Sequence, residues 1–234
     1  MECDHVGVSI FVNPAQFGRD EDLTKYPRTL ENDLALLESL GVDVVWIPPP
    51  EVVYSAGYQT WITVDDVSKP LEGTIRPGHF RGVATVVAKL LNIFTPDRAY
   101  FGQKDAQQAA VIRRMAADLN FAADIVVSPI VREADGLALS SRNVYLSKDE
   151  RRAAPALYRA LSAAKIKFEA GERNADILKA AVIETLSAEP LVNIQYVSVA
   201  NPDTIEELRE ISGGALLYAA VRIGKTRLID NVLL

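Results

Sequence analysis

RAYFGQKDAQQ, Arg98 to Gln108, is the stretch on which the fold turns. Arg98 to Phe101 reads as a short strand, and Asp105 opens a helix expected to run to Asn120. A strand that passes directly into a helix is the repeating unit of α/β sheets, which bind their ligands at the carboxyl ends of their strands. The first amides of a helix present partial positive charge to an anion, and Lys104 places a full charge beside them. Taken alone, the stretch serves equally well as a helix start with Asp105 as its cap and Lys104 in solvent.

The same alternation continues on either side. His5 to Val12, HVGVSIFV, and Val42 to Ile47 are β-branched apolar runs that read as buried strands. Between them lie a polar loop, Asn13 to Arg28, and a helix over Leu30 to Leu40 that Gly41 closes. Gln59 to Val64 suggests a short edge strand, Gly73 to Gly82 a loop rich in Gly, Arg and Pro, and Val83 to Phe94 an apolar helix. Ile125 to Ile130 is a fourth strand. This order predicts a Rossmann-like α/β domain with a parallel, doubly wound sheet over residues 1–130.

The pattern changes after about residue 131. Ser147-Lys-Asp-Glu150 has the spacing of a capping box, which opens a helix expected to reach Ala170; Asn174 caps another, to about Ala188. Apolar strands follow near Ile194 to Val199 and Ala215 to Ile223. Helices followed by strands predict a smaller α+β domain over 131–234.

Composition bounds the function. With 49% hydrophobic and 24% charged residues, the 234-residue chain has the make-up of a globular protein. A net charge of −6 argues against a nucleic-acid binder, which needs clustered Lys and Arg. One cysteine, Cys3, and two histidines, His5 and His79, offer neither a disulfide nor a convincing metal cluster. No apolar run approaches bilayer length, and no signal peptide is evident, so a cytoplasmic protein is expected.

Three further stretches carry polar groups suited to a ligand. LALSSRN, Leu137 to Asn143, sets two hydroxyls before an arginine, a combination that suits polyphosphate oxygens but also an ordinary polar turn. Gln16 follows the first strand; its amide both donates and accepts, which suits a small hydroxy acid, and equally a solvent-facing loop. RPGHFRG, Arg76 to Gly82, holds His79, which reads more readily as structural than as a general acid.

Together, SIFVNPAQF (Ser9 to Phe17), KYPRTLENDL (Lys25 to Leu34), RPGHFRGVATVV (Arg76 to Val87), FGQKDAQQ (Phe101 to Gln108), READGLALSSRNVYL (Arg132 to Leu146) and RLIDN (Arg227 to Asn231) resemble the pantothenate synthetase family in order and spacing. The resemblance implies a Rossmann-like domain, a smaller domain covering the active site, and a homodimer. It implies a ligase that joins pantoate to β-alanine using ATP with Mg2+, through pantoyl adenylate. It implies that Gly102, Gln103, Lys104, Asp105, Val131, Leu139, Ser140, Ser141 and Arg142 bind ATP, with Lys104 and Arg142 the catalytic cations. Gln16 and Gln108 would bind pantoate, and Gln16 also β-alanine. Gln103 stands where the family usually has glutamate, and Leu139 where it has methionine. No ligand set for the metal follows.

One departure is larger. The family opens with a strand, a Pro-Thr-Met-Gly loop and a His-x-Gly-His motif that supplies the proton donor; this chain opens on what the resemblance makes the second strand. Neither His5 nor His79 matches the motif, so no catalytic histidine is carried over, and the chain as it stands is expected to be inactive alone. Two other readings stay open: another nucleotidyltransferase of the same superfamily, and a non-catalytic binding remnant.

Overall fold

The computed structural model describes residues 2–18 and 21–234. Strand β1 (Gly7–Ser9) leads through helix α1 (Leu30–Ser39) to β2 (Val44–Trp46), which lies parallel to β1 with Gly7 opposite Val44. α1 ends where the sequence predicts, with Gly41 at φ 72° and its N–H bonded to the Glu38 carbonyl. Two short helices follow, α2 (Pro50–Val53) and α3 (Glu72–Ile75), and then the long α4 (His79–Phe94). β3 (Arg98–Gly102) passes through α5 (Ala106–Asp118) to β4 (Asp124–Ser128), again in parallel, with Arg98 opposite Asp124. This is the α/β arrangement the alternation predicts. Among the described residues the four strands bond as two pairs, β1–β2 and β3–β4.

Two local expectations are revised. The stretch read as a loop over Gly73 to Gly82 is largely helical: Gly73 lies within α3 and Gly82 within α4, and only the break between them holds Pro77 and Gly78, the latter at φ 83° before the first residue of α4. Gln59 to Val64 joins no sheet; the Ile62 amide donates instead to Thr85 Oγ1 on α4, at 3.0 Å.

The remainder consists of helices α6 (Lys148–Ala153), α7 (Ala156–Glu169) and α8 (Ala175–Ser187) and antiparallel strands β5 (Val192–Ala200), β6 (Leu216–Ile223) and β7 (Thr226–Leu233), in the order β5-β6-β7. The capping box at Ser147 and Glu150 is present, as is the Asn174 cap, whose Oδ1 accepts from the amides of Asp176 and Ile177. The single helix expected from Ser147 to Ala170 breaks between α6 and α7 at Pro155, which has no N–H to continue the ladder. β7 is an addition to the expected strands. It returns from β6 through Gly224 and Lys225, with Gly224 at φ 55°.

β6 is the shared wall of the molecule. Its residues alternate between faces: Leu216 and Tyr218 join a core built on α4 and α5, whereas Leu217, Ala219 and Val221 join one built on α7 and α8. The carboxyl end of β3 is thereby held against β7 and the loop before α6.

Candidate active site

At the end of β3, Gly102 enters a single 3-10 turn, Gln103–Asp105, which runs straight into α5. No side chain caps the first amides of α5, so that end keeps its partial positive charge. Lys104 stands there and lines a cleft of about 390 Å3. From across the cleft come Ser140 and Arg142, which begin the turn Ser141–Tyr145. Ser140 Oγ accepts from the Arg142 amide at 3.3 Å, which fixes the turn. Lys104 and Arg142, separated in sequence and carried by different cores, thus line one cleft. Ser141 faces away toward Tyr26, donating its hydroxyl to Tyr26 Oη at 3.0 Å. Val131 and Leu139 are joined by a 2.9 Å bond from the Leu139 amide to the Val131 carbonyl, with both side chains exposed.

Acidic partners already hold Arg142 and Arg76. Arg142 donates from Nε and Nη2 to Asp22 at 3.0 and 2.8 Å, and its hydrogen bonds hold the Asp22 carboxyl below its ordinary range. Arg76 grips Glu21 through two 2.7 Å bonds. Burial pushes the Glu21 carboxyl up, but the bonds and charge of Arg76 outweigh it and leave the group below its ordinary value. An entering polyanion therefore exchanges with carboxylates rather than with water alone.

The glutamine side is built on Asn13, which is buried. Its Oδ1 accepts from Tyr54 Oη at 2.9 Å and from the Ala15 amide at 3.2 Å. Its Nδ2 donates to Gln16 Oε1 and to the Gly82 carbonyl, each at 3.2 Å. Gly82 is required here: a Cβ would lie 2.3 Å from the Ala15 carbonyl oxygen. The Gln16 carbonyl accepts from His79 Nδ1 at 2.8 Å, and Arg76 Nη1 donates to His79 Nε2 at 3.1 Å. A carbonyl only accepts and a guanidinium only donates. His79 is therefore the neutral Nδ1–H tautomer, with both ring nitrogens engaged. Burial, then the nearby Arg76 charge, lowers its pKa accordingly.

Gln108 lines a small recess of about 20 Å3 that shares Arg76, Lys104 and Asp105 with the main cleft. Gln16 lines a neighbouring recess of about 160 Å3 with Trp61 and Arg81. His79 borders both recesses, so the two glutamines lie on either side of it.

Sequence reading did not single out the groups that hold these loops together. Arg227 on β7 donates two bonds, 2.7 and 2.6 Å, to buried Glu72, which also accepts from Tyr196 Oη at 2.7 Å. Arg132 pairs with Asp230 at 2.5 and 2.9 Å, and burial still raises the Asp230 pKa despite that partner. Arg227, Asp230 and Asn231 within an otherwise apolar C-terminal run were the available signal. Among the described residues no group of three His, Cys, Asp or Glu is placed to hold a metal ion.

The parallel strand pairs, with a cleft of mixed charge at the end of one strand closed by a second, antiparallel unit, define an α/β protein with a polar cleft between its two cores. The sequence profile of the family "Pantoate-beta-alanine ligase" matches residues 1–233, and the chain belongs to that family. It is 59% identical over 233 residues to the pantothenate synthetase of Roseiflexus castenholzii, spanning all of this chain and 84% of the relative. Its fold matches the crystal structure of pantothenate synthetase from Thermus thermophilus with a TM-score of 0.95 at 46% identity, over 98% of this chain and 83% of that one. The pantoate-beta-alanine ligase from Francisella tularensis, solved in complex with beta-gamma ATP and beta-alanine, matches with a TM-score of 0.78 at 36% identity, over 99% of this chain and 80% of that one.

Proposed function

We infer that the chain carries the active site of an ATP-dependent condensation of pantoate with β-alanine, proceeding through pantoyl adenylate. A carboxylate is a poor acyl donor, so its oxygen first attacks the α-phosphorus of ATP and pyrophosphate leaves. The β-alanine amine then attacks the activated acyl carbon, and AMP leaves with the bonding pair of the mixed anhydride. Gly102 to Asp105, Val131 and Leu139 to Arg142 form the nucleotide site in this reading. Lys104 and Arg142 offset charge that develops on the phosphates, which is worth most in a cleft shielded from water. Mg2+ enters as part of the nucleotide substrate, since it is commonly held by phosphate oxygens and water with few protein ligands. Gln16 and Gln108 bind pantoate on either side of His79, and Gln16 also meets β-alanine.

Residues 1–130 act in this scheme as the nucleotide- and pantoate-binding domain and residues 131–234 as the lid. The working assembly is a homodimer in the cytoplasm. The observation that carries the reading is that Lys104 and Arg142 line one cleft. Lys104→Ala tests it. In a polypeptide extended to the length of the Roseiflexus relative, pantoate-dependent exchange of pyrophosphate into ATP should fall on the order of 100- to 1,000-fold, with the urea midpoint unchanged. Equal losses of exchange and stability would make Lys104 a structural residue and remove the reading's main support.

A further inference from the structure

Asn231 is buried, with 1% of its surface exposed, and lies on β7 more than a hundred residues from the loop it touches. Its Nδ2 donates to the carbonyls of Gln103 at 2.9 Å and Lys104 at 3.1 Å. Its Oδ1 accepts from Gln103 Nε2 at 3.1 Å. The orientation of the amide is forced, because two carbonyls demand a donor and leave the oxygen to face the Gln103 side chain. All three hydrogen bonds end on the turn that carries Lys104. Behind Asn231, its own amide donates to Asp230 Oδ1 at 2.8 Å, and Asp230 is clamped by Arg132. Arg132 in turn lies over the Tyr158 ring at 3.9 Å.

We propose that Asn231 is a positioning residue for the phosphate-binding turn: it fixes the backbone of Gln103 and Lys104 from the antiparallel unit, so that the Lys104 ammonium meets the nucleotide phosphates. The proposal rests on the reading of Lys104 as a phosphate ligand and adds the device that aims it. A short 3-10 turn makes few bonds of its own, and Asp105 supplies no cap to the helix that follows. The turn's geometry is therefore set from outside, and Asn231 provides the buried side-chain bonds that set it. Asn231 touches no reacting atom and acts through backbone carbonyls.

Asn231→Leu keeps the volume and removes the donors. In this chain, hydrogen exchange over residues 101–107 should speed up while β5 and β6 stay protected. ATP affinity, measured by calorimetry, should fall about 10- to 100-fold, the range for leaving buried hydrogen-bonding groups unpaired, while pantoate affinity holds within about twofold. Gln103→Ala leaves the two carbonyl bonds in place and should speed exchange over residues 101–107 less than Asn231→Leu does, a comparison that needs no nucleotide. Faster exchange throughout the molecule, or parallel loss of both ligands, would make Asn231 a general packing residue and overturn the proposal. So would exchange over residues 101–107 as fast in Gln103→Ala as in Asn231→Leu. A Lys104→Ala control separates the two levels. If that variant keeps its ATP affinity, the phosphate reading fails; if it loses affinity while Asn231→Leu does not, only the positioning role fails. Where ATP binding is too weak to measure, the exchange result decides alone, since it requires no nucleotide.

Discussion

His79 shows how far a residue's chemistry depends on neighbours that sequence reading cannot place. The sequence offers a histidine in a loop with two arginines, equally a proton donor or a structural group. In the fold both ring nitrogens are used: Nδ1 donates to Gln16 and Nε2 accepts from Arg76. Burial disfavours the charged ring, protonation would also set an N–H against the Arg76 N–H, and the Gln16 carbonyl, Glu21 and Glu72 compensate only in part, so the folded pKa falls below its ordinary 6.5. The unfolded chain then binds more protons than the folded one between the folded pKa and 6.5. Stability is complete above that window and is lost as pH drops through it. Wild type should therefore lose up to about 1.4 kcal/mol per pH unit more than His79→Asn between pH 7 and 5. Urea unfolding of both proteins across that range is the measurement, and parallel curves would refute the neutral tautomer. That Lys104, Ser140 and Arg142 line one cleft agrees with where the sequence put them, in loops that follow strands. Asp22 and Glu21 were not legible, because their partners, Arg142 and Arg76, lie 120 and 55 residues away.

At the level of elements, α1 and β6 were read to within a residue, whereas the strand expected over His5 to Val12 forms only Gly7–Ser9 and the helix expected from Val83 begins at His79; β7, where polar residues do tertiary work, was missed. β7 is the plainest case. RLIDN reads polar, apolar, apolar, polar, polar and so lacks a strand's alternation, because Asp230 and Asn231 are buried on opposite faces and Arg227 turns to Glu72. What stabilises these polar groups is pairing across units. Arg227 with Glu72 joins β7 to α3, and both side chains are mostly buried. Burial alone would raise the Glu72 carboxyl; Arg227 reverses this and holds it charged and below its ordinary value. Removing one member of such a pair strands the other. Arg227→Met should cost roughly 3–5 kcal/mol in urea unfolding, and adding Glu72→Gln should restore more than half of it, because no charge is then left unpaired. A single-variant loss below about 1 kcal/mol would mean that the pair is solvated and β7 is held by apolar contacts alone.

Over the whole molecule the two cores differ in completeness. The antiparallel unit encloses fully buried Leu161, Leu178, Leu186 and Leu217 between its helices and sheet. In the parallel unit α1 buries no residue, Leu36 is 59% and Leu40 67% exposed, and strand residues Val44 and Tyr100 are 56% and 47% exposed. Among the described residues each parallel strand has one strand neighbour, so unpaired edges of β1 and β3 remain available. Unpaired edges beside exposed apolar side chains promote association. His79, the one histidine among the described residues that borders these recesses, has no ring nitrogen free for proton transfer. A polypeptide consisting of residues 1–234 alone should therefore self-associate at micromolar concentration. With His79 so held, it should also release AMP, in the presence of ATP, pantoate and β-alanine, on the order of 100- to 1,000-fold more slowly than the Roseiflexus relative, the usual scale for want of a positioned catalytic donor. Light scattering with size-exclusion chromatography reads the first outcome, and a coupled AMP assay on both proteins reads the second. A monodisperse chain would show that the exposed edges are shielded in solution. Equal turnover would show that the described residues suffice for catalysis, and it would require His79 to exchange its bond with Gln16 or Arg76 for one with the substrate during the reaction.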